Sequence, residues 1–271
     1  MFFKRLLSGA ILLAVACIML YLGGAYLACG MCFVSLCALR ELLSAFHLEP
    51  KPWYFMGAAG IFAVYLSIHF FGSPGILAAA TVSLILFFVI YVICFPGMKS
   101  WDVLIAYGLM LYAALPLSCL SLLSYTEQGG FLVWLVLISS WGADTAAYCV
   151  GSLMGKHKLV PKLSPGKSVE GAVGGVLFSM VLGAGYGFAL QYFGQTPFGG
   201  LTVTGFAMIC GAASLLSIFG DLAASGMKRD HKLKDYADLI PGHGGVMDRI
   251  DSVIFTAPVV YYLTLLLSAM S

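Results

Sequence analysis

Residues 221–251 contain six acids, five basic residues and two histidines, in a chain whose overall charged fraction is only 10%. Such density points to ion and phosphate chemistry rather than packing. If the stretch begins by continuing a helix, Asp221, Ser225 and Lys228 fall at i, i+4 and i+7 on one face. Asp248 and Asp251, at i and i+3, share a face at the start of the next apolar run. Two carboxylates at neighbouring helix ends suit a hard cation such as Mg²⁺, which takes one or two protein carboxylates and completes its shell with phosphate and water. Lys228, Arg229, Lys232 and Lys234 would neutralise a polyphosphate. The segment Pro241-Gly242-His243-Gly244-Gly245 offers backbone N–H groups just before a helix N-terminus, where partial positive charge favours phosphate. A solvated mixed-charge loop accounts equally well for Lys232, Lys234 and Asp238 taken singly. It fits Asp221 and Asp248 less well, because acids where apolar helix meets loop need a partner or a metal.

A second constellation lies upstream, in Trp141-Gly-Ala-Asp144-Thr145-Ala-Ala-Tyr148 and Ser164-Pro165-Gly166-Lys167-Ser168-Val-Glu170-Gly171. Asp144 precedes the loop at Gly155 by eleven residues, roughly 16 Å of helix, which makes it a functional candidate. A structural acid held by Thr or Tyr is the alternative. Ser164, Lys167 and Ser168 have the small and basic character of a phosphate-holding turn, with Glu170 as a helix cap the other reading. Gly166-Lys167-Ser168 is not a P-loop, since the upstream glycine at the required spacing and a preceding strand are both missing.

The elements that must position these residues are apolar helices. Of the 271 residues 61% are hydrophobic, and mean hydropathy is +0.98. A soluble domain carries about 25% charged residues, so a water-soluble fold is excluded. The eight cysteines lie in apolar runs and read as small hydrophobes, Cys29 and Cys32 included, not as a disulfide or metal framework. Hydropathy with Gly, Pro and charged breaks predicts about nine spans, near 6–22, 25–43, 53–71, 75–95, 103–123, 131–151, 170–192, 201–220 and 252–270. Numbered from an N-terminus inside, all 14 basic residues fall in inside gaps, and the gaps around Gly23, Ser73, Glu127 and Thr196 hold none. The expected fold is therefore an all-α polytopic transmembrane helical bundle, N-terminus cytoplasmic and C-terminus outside. Its N-terminal region, 1–130, holds about five spans. The catalytic region, 131–271, presents two cytoplasmic loops, 152–169 and 221–251. No internal repeat of the transporter kind is visible.

Together the two charged segments resemble the phosphatidate cytidylyltransferase family, also called CDP-diacylglycerol synthase. Its C-terminal signature is matched by Ser225, Met227, Lys228, Arg229, Lys234, Asp235, Ala237, Ile240, Pro241, His243, Gly244, Gly245, Val246, Asp248, Arg249, Ile250 and Asp251. Its upstream elements are matched by Asp144, Thr145, Ala147 and Tyr148, and by Ser164, Pro165, Lys167, Glu170 and Gly171, with Ser168 where threonine is usual. These motifs cover about a third of the chain; the first 130 residues resemble the family only in hydropathy.

The resemblance implies transfer of CMP from CTP to phosphatidate with Mg²⁺, in phospholipid biosynthesis. It implies Asp221 and Asp248 as metal ligands, with Asp144 and Asp251 either as additional ligands or as groups that support the ligands from behind. Asp221, Asp248, Ser225 and Lys167 are the expected catalytic set. Lys228, Arg229, His243, Gly244, Gly245, Arg249, Ser164 and Ser168 are expected to bind substrate. Expected partners are CTP, phosphatidate and membrane lipid, with no nucleic acid and a homodimer left open. The expected location is a bacterial cytoplasmic membrane, with the site facing the cytoplasm. A CTP-dependent polyprenol or dolichol kinase and, in another class, a cation-coupled transporter using Asp144 are the alternatives. The spaced signature of CDP-alcohol phosphotransferases is absent.

Overall fold

In the computed structural model the described residues are 2–48, 50–195, 200–240, 242 and 244–270, with the side chains of 2–6, 50 and 51 excepted. The chain is all-α and polytopic. Among the described residues eight helices are long and apolar enough to cross a membrane, and a shorter apolar stretch, Leu7–Leu22, precedes them. That accounts for each of the nine expected apolar segments. Two compact units divide the chain: Met1–Leu122 with His231–Arg249, and Leu123–Asp230 with Ile250–Ser271. The units are therefore discontinuous in sequence.

The first unit contains α1 (Phe2–Leu22), α2 (Gly24–Ala45), α3 (Pro50–Phe71), α4 (Ser73–Ile93) and nearly all of α5 (Ser100–Ser124). Successive helices up to α4 pack as neighbours. Leu39, Leu42, Ile61, Val64 and Met110 are buried here. Gly57 leaves room for Leu39, since a Cβ there would lie 2.6 Å from Leu39 Cδ2. Polar ties supplement the packing: Ser35 Oγ and Tyr65 OH lie 3.0 Å apart, and Tyr107 OH donates to the Ala80 carbonyl at 2.9 Å. Large apolar side chains such as Leu77, Phe71 and Ile93 remain exposed on these helices, as lipid-facing surfaces require.

The second unit opens with a composite span. Short helices α6 (Gly129–Leu132) and α7 (Trp134–Leu137) lead into a π-helical turn, Ile138–Gly142, and then α8 (Ala143–Met154). The π turn rotates the helix just before Asp144, and such turns mark functional sites. A hairpin follows, β1 (Lys158–Val160) and β2 (Ser164–Ser168), antiparallel with Lys158 opposite Ser168 and Val160 opposite Ser164. The segment expected as loop is thus a hairpin, with Pro161 in the turn between its strands.

Next come α9 (Val169–Tyr192), α10 (Val203–Asp230) and α11 (Met247–Met270). Gly171, Gly175, Ser179, Gly183 and Gly187 form one buried stripe along α9, a four-residue spacing that lets backbones approach closely. A Cβ at Gly175 would lie 2.8 Å from the Ala143 carbonyl oxygen of α8, and one at Gly183 2.6 Å from Cys210 Sγ of α10. Ser179 Oγ donates to the Cys210 carbonyl at 3.2 Å. The stripe thus sets α9 between α8 and α10.

One boundary differs from expectation. Helix α10 runs 28 residues, to Asp230, about 42 Å at helical rise, so the first ten residues of the charged stretch are helix rather than loop. Ala, Leu, Met, Lys and Arg there are good helix formers, and nothing but Gly226 interrupts them.

Candidate active site

Three acids on three helices lie within electrostatic reach of one another in the second unit. Asp144 comes from α8, Asp221 from α10 and Asp251 from α11. The Lys167 ammonium, at the end of β2, lies 2.6 Å from Asp221 Oδ2, and Ser225 Oγ donates to Asp221 Oδ1 at 3.3 Å. The second contact is the i, i+4 geometry expected from a continued helix. Asp144 interacts electrostatically with Lys167 and Asp221 and is hydrogen-bonded by the Ser252 side chain. Asp251 is 9% exposed, accepts the Ser252 N–H on Oδ1 at 2.8 Å, and interacts with Asp221, Asp144 and Lys228. Lys167 and Lys228 are cationic partners of this acid cluster.

Close approach makes the cluster possible. A Cβ at Gly220 would lie 2.6 Å from the Asp251 carbonyl oxygen, so glycine is what lets α10 and α11 touch beside their acids. Leu163 of the hairpin rests on Gly226 of α10, 3.6 Å from where its Cβ would stand, which carries β2 and Lys167 to α10. Glu170 fastens the other side of the hairpin. Its carboxylate accepts the backbone N–H groups of Lys156 and His157 at 3.2 Å and lies 2.6 Å from His157 Nδ1.

Ser168 is buried, and its hydroxyl accepts the Gly171 N–H at 3.1 Å as the cap of α9. It builds the turn. Ser164 opens β2, half-buried, and Arg229 is exposed near the end of α10.

The remaining expected residues belong to the first unit. Asp248 Oδ2 accepts the N–H groups of Tyr236 and Gly245, both at 3.0 Å, closing the loop onto the first turn of α11. Gly244 has φ 78°, and Ile240 N–H donates to its carbonyl at 2.9 Å. The N–H groups of Val246 and Met247 donate to Glu41 Oε1 and Oε2, each at 2.8 Å. Of the N–H groups in the 241–245 segment expected to meet phosphate, that of Gly245 is held by Asp248, and the next two, at 246 and 247 where α11 begins, are held by Glu41. Arg249 is half-buried in the first turn of α11, while Pro241 and His243 lie outside the described residues.

Glu41 and Ser252 were missed by sequence reasoning. An acid inside the second apolar span was the available signal for Glu41; a serine beside Asp251 carried none.

Among the described residues no three His, Cys, Asp or Glu side chains converge as a ready metal cage. The donor set is nevertheless all hard oxygen, and of the one-or-two-carboxylate kind that Mg²⁺ takes when phosphate and water fill its other positions. Asp221, with Asp144 or Asp251, fits that ion.

Over 135 residues the chain is 43% identical to the phosphatidate cytidylyltransferase of Haemophilus influenzae, covering 50% of this chain and 46% of that protein. It is 45% identical over 142 residues to the enzyme of the same name from a Synechocystis species, covering 51% and 45%. With that of Bacillus subtilis it shares 35% over 142 residues, covering 52% and 50%. The chain spans about half the length of the curated relatives it matches. The cytidylyltransferase family profile matches residues 3–267, a range that holds every acid of the cluster, and the chain belongs to that family.

Proposed function

We propose that the chain transfers CMP from CTP to phosphatidate, giving CDP-diacylglycerol and pyrophosphate. The observation that carries this reading is the Lys167–Asp221 ion pair within electrostatic reach of Asp144, with Asp251 in reach of both acids, in a chain of this family. The names of the three relatives support the choice of substrate.

The chemistry needs little from a base. A phosphomonoester is largely ionised near neutral pH, so its oxygen attacks the α-phosphorus of CTP directly. A new P–O–P linkage forms, the bond from the α-phosphorus to the bridging β-oxygen breaks, and pyrophosphate leaves with that electron pair. Catalysis is then positioning and charge neutralisation. Lys167 and Lys228 neutralise phosphate charge, with Arg229 as a further phosphate contact, and Ser225 orients Asp221; the phosphate role expected of Arg249 is a separate proposal. Asp221, with Asp144 and Asp251, would hold Mg²⁺, which supplies further neutralising charge on the phosphate oxygens when bound. The ligand role expected of Asp248 is a separate proposal, tested by substitution below.

We propose further that both charged segments face the cytoplasm of a bacterial cell, with the N-terminus inside and the C-terminus outside. The one-sided distribution of the 14 basic residues supports that orientation.

The test uses CTP radiolabelled at the α-phosphate, purified protein, phosphatidate and Mg²⁺. CMP transfer moves label into a chloroform-soluble product and releases pyrophosphate. Label confined to water-soluble CDP would indicate a lipid kinase and overturn the proposal.

A further inference from the structure

Glu41 stands on α2, four residues before its end, and is 5% exposed. An acid so enclosed in an apolar span is costly unless its oxygens are satisfied. Here each oxygen has its own donor: Oε1 takes the Val246 N–H and Oε2 the Met247 N–H, both at 2.8 Å. Those N–H groups open α11, where a helix leaves donors without intrahelical partners and carries partial positive charge. An isolated helix start of this kind attracts phosphate. In this chain an internal carboxylate from a distant span has taken the place.

The neighbouring glycines are explained by the same contact. A Cβ at Gly245 would collide with Glu41 Oε2, and one at Gly244 would come 2.9 Å from Asp248 Oδ2. Each glycine thus admits one carboxylate to the backbone. Asp248 reaches back to the Gly245 N–H at 3.0 Å, as in a capping box. Two acids, one local and one from α2, hold the turn that carries Asp248 and Arg249.

We propose that Glu41 is a positioning residue for the reaction: it fixes the first turn of α11, and with it Asp248 and Arg249, and it bars substrate phosphate from that helix end. The kinetic part rests on the reading that Asp248 and Arg249 serve nucleotidyl transfer; the structural part does not.

The experiment compares Glu41→Gln and Gly245→Ala with the unaltered full-length protein in lipid nanodiscs. Glutamine keeps one acceptor but turns an NH₂ donor toward a backbone N–H, and alanine at 245 displaces the carboxylate without altering it. Hydrogen–deuterium exchange at the Val246 and Met247 amides should rise about 10- to 100-fold in both, the range of a charge-assisted hydrogen bond, with α9 amides unchanged. CDP-lipid synthesis should show kcat lowered at least about tenfold and KM for CTP held within about twofold, as for a group that shapes the transition state without contacting nucleotide. Unchanged exchange at these amides overturns the proposal. So does a raised KM at full kcat, which would assign Glu41 to nucleotide binding. Reduced yield, with normal exchange and kinetics in the protein that remains, would assign it to folding alone and overturn it equally. If the unaltered protein makes no CDP-lipid, the functional reading fails, and exchange still decides whether Glu41 holds the turn.

Discussion

Removing the Lys167 ammonium separates two readings of one contact. Lys167 Nζ lies 2.6 Å from Asp221 Oδ2, with the side chains 25% and 30% exposed. Two unit charges at about 4 Å interact by about 4 kcal/mol at an effective dielectric near 20, but desolvation and side-chain ordering leave partly exposed pairs worth roughly 0–1 kcal/mol of stability. A merely structural lysine therefore predicts a small loss of stability and unchanged kinetics. A lysine that neutralises charge on departing pyrophosphate predicts a loss of about 2.7–4 kcal/mol of transition-state stabilisation, or 10²–10³ in kcat. The larger effect decides the case. Lys167→Ala should lower kcat by that factor, with KM for CTP changed far less. The same change removes a cation that competes for Asp221, while Asp144 and Asp251 remain. The Mg²⁺ concentration giving half-maximal rate should therefore fall a few fold, even as kcat drops. Lys167→Arg should recover only part of the rate, because a planar fork does not replace a compact ammonium. Steady-state kinetics with CTP and Mg²⁺ titrated independently measures all three. Wild-type kcat and KM in Lys167→Ala would refute the reasoning.

Asp221→Asn and Asp248→Asn should each abolish turnover while the protein still inserts, and Asp238→Asn should be mild; near-normal rates at ordinary Mg²⁺ in either of the first two would deny that residue a ligand role. Glu170→Ala should release the hairpin, seen as faster proteolysis between Lys156 and Ser168, with a partial loss of rate. Gly183→Val meets Cys210 Sγ and the Phe206 carbonyl and should destabilise by about 1–3 kcal/mol. Gly185→Val, with nothing within 4 Å of its Cβ position, should leave thermal stability in detergent unchanged. Cysteines placed at Lys162 and Lys232 should react with an impermeant reagent only from the cytoplasmic side.

Much of this protein is legible from residue types alone. Hydropathy locates the apolar helices, eight of them long enough to span and Leu7–Leu22 shorter, because each side chain's transfer into hydrocarbon is favoured by its own apolarity largely whatever its neighbours. Asp144, Asp221 and Asp251 announce themselves as acids at or within apolar helices, and the Asp221–Ser225 contact follows from helical period once α10 continues. Pairing is a different matter. Nothing in the local sequence of α2 says that Glu41 will meet residues 246 and 247, because that contact depends on how helices pack some two hundred positions apart. For the same reason the 241–245 segment reads as open to phosphate, whereas Asp248 takes the Gly245 N–H and Glu41 takes the Val246 and Met247 N–H groups that follow it. Composition records which groups can donate and accept; only the packed chain decides which of them are still free for a substrate.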